Sequence, residues 1–315
     1  MQAEGPGGES ARRLGPGLLV ETMNFDRPNR RSVPLGFGRV GCVEAGSGEA
    51  TVLLHDFAED SSLWPLSSLP AGRRYLAPDL PGHGASEKPR VEYAPELYLG
   101  ALRELLDALE IAQADFVGHG LGAALALGLA RREPGRVRSL AFLGPMTPAA
   151  FPGGRVTEVL FELSRRPRIL LGLVRLLRGA LARLELGPPG MPRGSVPSGV
   201  LACRERHYRD REFARVFVST VVHWTRWVAF QPDVEELAQP LLLLWGERDL
   251  VYPPRQAPLL RILLPQSRLV LLPCGHWPHL ELPDRVRAEL EGFWEEVRLD
   301  SARRAGSGLR GPGSS

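Results

Sequence analysis

Short, almost uninterrupted apolar runs alternate with longer helical stretches along most of this chain, and that alternation restricts its fold more than any other feature. The runs are Gly38 to Ala45, Thr51 to His55, Arg74 to Ala77, Asp115 to Gly118, Arg138 to Leu143, Leu241 to Trp245 and Leu269 to Leu272. A strand covered on one face alternates apolar with polar residues, whereas a strand covered on both faces is apolar throughout. Between the runs lie stretches with helical spacing: Pro95 to Leu109, Leu121 to Arg132, Pro254 to Leu263 and Pro283 to Val297. Strands alternating with helices predict an α/β fold, with an open, mostly parallel sheet flanked by helices.

The alternation breaks once. Val156 to Leu186 and Arg209 to Phe230 are helical in pattern, and between them lie Gly187-Pro188-Pro189-Gly190 and a Pro/Gly/Ser-rich linker to Gly199. This predicts a helical insertion over residues 146–231, set between the two parts of the core, 33–145 and 232–299. Residues 1–32 read as a partly disordered N-terminal segment rich in Gly, Glu and Pro, and 300–315 as a disordered tail.

Composition excludes several classes. The 315 residues carry a net charge of only +3, and no basic stripe with interleaved aromatics is present, so no nucleic-acid partner is expected. Cys42, Cys203 and Cys274 are far apart, odd in number and without metal-ligand spacing, which argues against a disulfide framework and for a reducing compartment. No metal cluster, dinucleotide fingerprint or phosphate-binding loop appears, so no cofactor and no metal are expected. No segment is long and apolar enough to span a membrane, and the early Glu4 and Glu9 do not suit a secretory signal. A cytoplasmic location is expected, with mitochondrial targeting through Arg12, Arg13, Arg27, Arg30 and Arg31 as the weaker alternative. Nothing in the sequence speaks to oligomeric state.

One motif carries the chemistry by what it lacks. Gly118-His119-Gly120-Leu121-Gly122 follows a predicted strand and opens an alanine-rich helix, the context of a nucleophile elbow, G-x-S-x-G, with Gly120 in place of the serine. Glycine has no side chain and cannot form an acyl-enzyme. It does take a positive φ at little cost, so the turn itself should survive. No other G-x-S-x-G occurs; Ser139 falls within a predicted strand and Ser86 within a loop.

Four further stations flank the elbow in chain order: Leu53-Leu54-His55-Asp56-Phe57, Asp79-Leu80-Pro81-Gly82-His83-Gly84-Ala85-Ser86, Gly246-Glu247-Arg248-Asp249 and Gly275-His276-Trp277-Pro278-His279-Leu280-Glu281. Together they resemble the α/β-hydrolase superfamily over about residues 33–299. The nearest likeness is to lid-bearing members such as carbon–carbon bond hydrolases, epoxide hydrolases and small esterases. The resemblance implies that His276 is the base, that Asp249 orients it, and that Gly120 is a degenerate nucleophile position. It also implies an oxyanion-hole region at His55, Asp56, Phe57 and Leu121, with the Phe57 and Leu121 N–H groups as donors. The usual His-Gly of that loop is here His55-Asp56. A carboxylate there would repel an oxyanion; the alternative is an outward-facing loop residue. His83 and His119 are read as structural, and Cys274 as a buried, inert thiol.

Three functions are compatible with this pattern. The first is a non-catalytic family member that binds a small apolar or ester-like ligand under the lid, or a protein partner. The second is a hydrolase or lyase-type enzyme in which His276 and Asp249 act as a base pair on water or substrate; an ester, thioester, epoxide or carbon–carbon bond would be cleaved. The third is a serine hydrolase in variant form, to which Gly120→Ser would restore activity. Within the insertion, Arg165, Arg166, Arg168, Arg175, Arg178 and Arg183 accompany a run of leucines. A lid helix with leucines over the pocket explains them; a weak contact with an anionic membrane surface is the competing reading.

Overall fold

The computed structural model describes residues 29–146, 159, 162–184, 196–223 and 237–307. Its strands are β1 (Asn29–Leu35), β2 (Gly38–Gly46), β3 (Glu49–Leu54), β4 (Arg73–Pro78), β5 (Ala114–His119), β6 (Val137–Leu143), β7 (Leu241–Gly246) and β8 (Ser267–Leu272). They form one sheet in the order β1-β2-β4-β3-β5-β6-β7-β8. The pairs β1–β2 and β2–β4 are antiparallel, and every pair from β4 to β8 is parallel. The helices are α1 (Pro95–Ala108), α2 (Leu121–Arg132), α3 (Pro167–Leu184), α4 (Ser198–Arg209), α5 (Phe213–Val222), α6 (Ala257–Leu263), α7 (Pro278–Glu281) and α8 (Pro283–Ser307).

The continuous apolar runs have the cause expected of them. Leu54, Phe116, Leu243 and Trp245 point into one apolar layer with α1, α2 and α5. Their neighbours Leu53, Val117, Leu242 and Leu244 point into the other, against Val286, Leu290, Phe293 and Trp294 of α8. Successive side chains of a strand face opposite ways, so a strand covered on both faces must be apolar at every position. The helices α3, α4 and α5 lie between β6 and β7 in the chain; α3 packs against both α4 and α5.

Three boundaries differ from the sequence reading. β1 begins at Asn29, inside the segment read as disordered, and pairs with β2 along its length. It is an edge strand of which only Val33 is buried, so it carries almost no apolar signal. α8 continues to Ser307, through positions assigned to the tail. α4 starts at Ser198, within the linker, and is polar on average, which hid its period. Parts of the predicted helical stretches, 156–158, 160–161, 185–186 and 224–230, lie outside the described residues.

The sheet register positions the site. β3 and β5 pair in parallel with Leu54 opposite Gly118. Two residues beyond each strand position stand Asp56 and Gly120, so the register brings these two together at the carboxyl edge. Ligands of open α/β sheets collect at that edge.

Candidate active site

The elbow has its turn. Gly120 sits between β5 and α2 with φ 51° and ψ −112°, a conformation that side chains rarely adopt. Its flanks are crowded: a Cβ on Gly122 would lie 2.1 Å from Leu54 O, and one on Gly118 would lie 2.5 Å from the Ala123 backbone. Small residues at both positions let helix and strand pack this closely.

The space a side chain at position 120 would occupy is filled. A Cβ built on Gly120 would fall 2.1 Å from Asp56 Cγ and 2.2 Å from its Oδ1. Asp56 is only 2% exposed. Its Oδ1 accepts from Leu121 N–H at 2.6 Å, and its Oδ2 lies 3.2 Å from His276 Nε2. On the other side, His276 Nδ1 lies 2.9 Å from Asp249 Oδ2. Asp249 Oδ1 in turn accepts from Val251 N–H and Tyr252 N–H, each at 2.8 Å. The outward-facing alternative for Asp56 is therefore corrected. With nothing on Gly120 to oppose it, the carboxylate turns inward, onto Leu121 N–H and His276 Nε2 at once.

Electrostatics follow from this clamp. Burial alone would push the His276 imidazole down, but the carboxylates of Asp249 and Asp56 outweigh it and raise its pKa to about 10. Burial pushes the Asp56 carboxyl up; the hydrogen bond from His276 and the charge of His119 reverse this and hold it below the usual carboxylate range. The two directions agree on one state, an imidazolium between two carboxylates. An imidazolium has no lone pair with which to remove a proton.

The other predicted site residues divide by role. His55 is structural: its Nε2 accepts from Leu80 N–H at 2.9 Å, which leaves Nδ1 to donate to Asp56 O at 2.7 Å. Those bonds tie the Asp56 loop to the Asp79 loop, itself closed by Ser61 N–H and Ala85 N–H on the Asp79 carboxylate. Phe57 presents its ring to Phe213 and Phe217 of α5, with centroids 5.9 Å away in each case. The Leu121 N–H, expected at an oxyanion hole, donates to Asp56 Oδ1 instead. His83 is buried, which pushes its pKa well down, and it lies 3.1 Å from Pro81 O. Cys274 is a free, buried thiol raised to about 12 by burial, so it is a poor nucleophile.

A second ionic layer lies behind the first and was missed by sequence reasoning. The fully buried Glu59 faces His119 Nδ1 at 3.1 Å, accepts from Trp277 Nε1–H at 2.7 Å and lies 3.5 Å from the guanidinium of Arg204 on α4. Burial opposes the Glu59 charge, but His119 and then Arg204 and Trp277 hold its carboxyl well below the ordinary range. His119 Nε2 lies 2.9 Å from His276 O, so each His119 nitrogen faces an acceptor and bonds there only as a donor. The only sequence signal for this layer is the spacing of acids, since Asp56, Glu59 and Asp60 fall within five positions of one loop.

Among the described residues, two groups bring metal-ligand residue types together, Asp56/His119/His276 and Asp60/Cys203/His207. In both, hydrogen bonds engage the donor atoms. His207 Nε2 accepts from Gly84 N–H at 3.0 Å, and its Nδ1 lies 2.9 Å from Cys203 O. Asp60 Oδ1 accepts from Ser62 N–H, and its Oδ2 from Arg206. Binding an ion at either group would break these bonds, so the residues fit a hydrogen-bonded network better than a metal.

Residues 51–289 match the model of the Alpha/beta hydrolase family. An uncharacterized protein of Mycobacterium tuberculosis is 28% identical over an alignment of 271 positions that covers 80% of this chain and 76% of that protein. A 2-hydroxymuconate semialdehyde hydrolase of Pseudomonas sp. is 28% identical over 277 residues, 82% of this chain and 91% of that one. Among solved structures, a haloalkane dehalogenase variant from Bradyrhizobium elkanii superposes with a TM-score of 0.71 at 23% identity, covering 88% of this chain and 99% of its own. That likeness speaks to the fold alone.

Proposed function

The chain belongs to the alpha/beta hydrolase family, and within that scaffold we propose that it is a pseudo-hydrolase whose triad is closed by its own Asp56 carboxylate. The observation that carries this reading is the placement of Asp56: one oxygen on Leu121 N–H, the other toward His276 Nε2, and its Cγ where a side chain on Gly120 would begin. Acyl transfer needs a nucleophile, a free base and a vacant oxyanion hole. Gly120 removes the first and Asp56 occupies the other two. The role that remains is binding, of a small apolar or ester-like ligand beneath the helices between β6 and β7 or of a protein partner.

Base-only catalysis by His276 and Asp249 has less support. It needs a neutral imidazole open to water or substrate, whereas Nε2 faces Asp56 and the pKa is raised to about 10. The variant-serine reading changes too. Gly120→Ser alone would drive its Cβ into Asp56, so recovery of a working elbow calls for Asp56→Gly as well.

The test combines turnover with labelling. Wild-type protein is assayed on short acyl esters, thioesters and epoxides beside His276→Ala, and no turnover above that control is expected. A serine-directed phosphonate should leave wild type and Gly120→Ser unlabelled and should label Asp56→Gly/Gly120→Ser. Wild-type turnover that disappears in His276→Ala would overturn the reading.

A further inference from the structure

The helix α4 is tied to the core through Arg204, Arg206 and His207. Arg204 lies 3.5 Å from Glu59, and Arg206 reaches Asp60 Oδ2 at 3.0 Å and Ser62 Oγ at 3.1 Å. A guanidinium keeps its charge at any pH that concerns a folded protein. Burial opposes the charge of Asp60, but hydrogen bonds from Ser62 hold its carboxyl below the ordinary range, so these ties do not respond near neutral pH. His207 differs. Its Nδ1 lies 2.9 Å from Cys203 O, and its Nε2 lies 3.0 Å from Gly84 N. Nδ1 therefore carries the hydrogen, and Nε2 the lone pair that accepts from Gly84 N–H. Only a neutral imidazole fits both partners, since a second proton would set N–H against N–H.

The surroundings decide how readily that proton arrives. Cys203 and Arg206 share the helix with His207, and Asp210 follows it. His55 and Asp60 approach from the stretch after β3, and Lys88 and His83 from the Asp79 loop, with the His83 ring centroid 5.7 Å away. α5 contributes the Phe213 ring, edge-on with its centroid at 5.0 Å. Burial pushes the imidazole below the ordinary histidine value; the Cys203 carbonyl and Asp60 work against burial, and His55 and Lys88 work with it. Water can reach this seam, because His207 lines a cavity of about 540 Å³ together with Arg30 of β1, Asp79 and Lys88.

We propose that His207 is a proton-operated latch: neutral, it fastens α4 to the Asp79 loop, and protonated, it raises the fraction of molecules in which α4 has lifted from the core. Arg204 lifts with it, so the latch governs access to Glu59. The sign follows from linkage. A lifted His207 titrates near the ordinary value of about 6.5, whereas a docked one titrates lower. The docked state holds its full advantage above about pH 6.5 and loses it as pH falls toward the docked value. This inference is independent of the Asp56 reading, because its readout is the mobility of α4 and not turnover. The test is hydrogen–deuterium exchange of the full chain at pH 7.5 and 5.5, with rates corrected for the intrinsic effect of pH. Amides of α4 should lose up to about tenfold in protection at pH 5.5, while those of β5 hold. His207→Gln keeps an acceptor for Gly84 N–H without a titrating ring, so the pH dependence should vanish. An NMR titration of wild-type protein needs no variant and should place the His207 midpoint below about 6.5, with the Gly84 amide shifting in step. Equal protection of α4 at both pH values would overturn the proposal, and so would an equal loss in β5. A pH effect preserved in His207→Gln, or a His207 midpoint at or above about 6.5, would do the same.

Discussion

The elbow and the loop facing it differ in what each retains. The elbow keeps its backbone: a positive φ at Gly120, crowded glycines on either side, and Leu121 N–H aimed at the site. What it lacks is a side chain. The loop after β3 keeps its place beside the elbow but carries a carboxylate where the family pattern has glycine. The absence and the addition meet at one point in space, with 2.1 Å between a Cβ on Gly120 and Asp56 Cγ. Read together, they make a closed hydrogen-bond network, and the two positions form one unit.

Breaking that unit from the loop side should have the largest effect. Asp56→Ala removes one carboxylate from a buried ion pair and leaves the Leu121 N–H without its acceptor, so a loss of about 3–5 kcal/mol is expected in urea unfolding. Unchanged stability would mean that the carboxylate does not close the site. Next comes the coupling between the two positions. Gly120→Ser should cost about 1–3 kcal/mol in the wild-type background through overpacking, and less in the Asp56→Gly background. A double-mutant cycle should give a coupling of about 0.5–3 kcal/mol in favour of the pair; additive effects would separate elbow from loop.

Smaller effects sharpen the electrostatic side. The His276 imidazole should titrate near pH 10 by NMR and move down in Asp56→Asn, where only Asp249 still opposes burial. Stability should follow with a definite sign. The folded His276 value lies above the ordinary one of about 6.5, so its contribution is complete below that pH and is lost as pH rises through about 10. Asp56 shifts downward, so its contribution is present above the ordinary value of about 3.9 and is lost on acidification. Melting temperature should hold between these ordinary values and decline on the alkaline side, with a decline in Asp56→Asn that is smaller and ends at lower pH.

The strands inside the sheet were legible because burial on both faces leaves an unbroken apolar run, as in Leu241 to Trp245. β1 was not, because an edge strand with Val33 as its one buried residue has no such run. Asp249 and His276 could be placed from the order of their motifs, and the structure brings them within 2.9 Å. The inward turn of Asp56 was out of reach for a different reason. It depends on what is missing from Gly120, and the pairing of Leu54 with Gly118 that joins these positions is a property of the sheet. Glu59 was hidden in the same way, since its partners His119, Arg204 and Trp277 come from three separate parts of the chain.

The register of β3 against β5 has a consequence for protein engineering. Because Leu54 stands opposite Gly118, a side chain mounted two residues past either of these positions arrives at the same locus beside His276. The scaffold thus has two ports through which one functional group can be installed, and either port can be left blank while the other is filled. A designer of new chemistry in such a sheet can move the reactive atom from the tight, glycine-demanding turn to the looser loop opposite it, and keep His276 and Asp249 where they are.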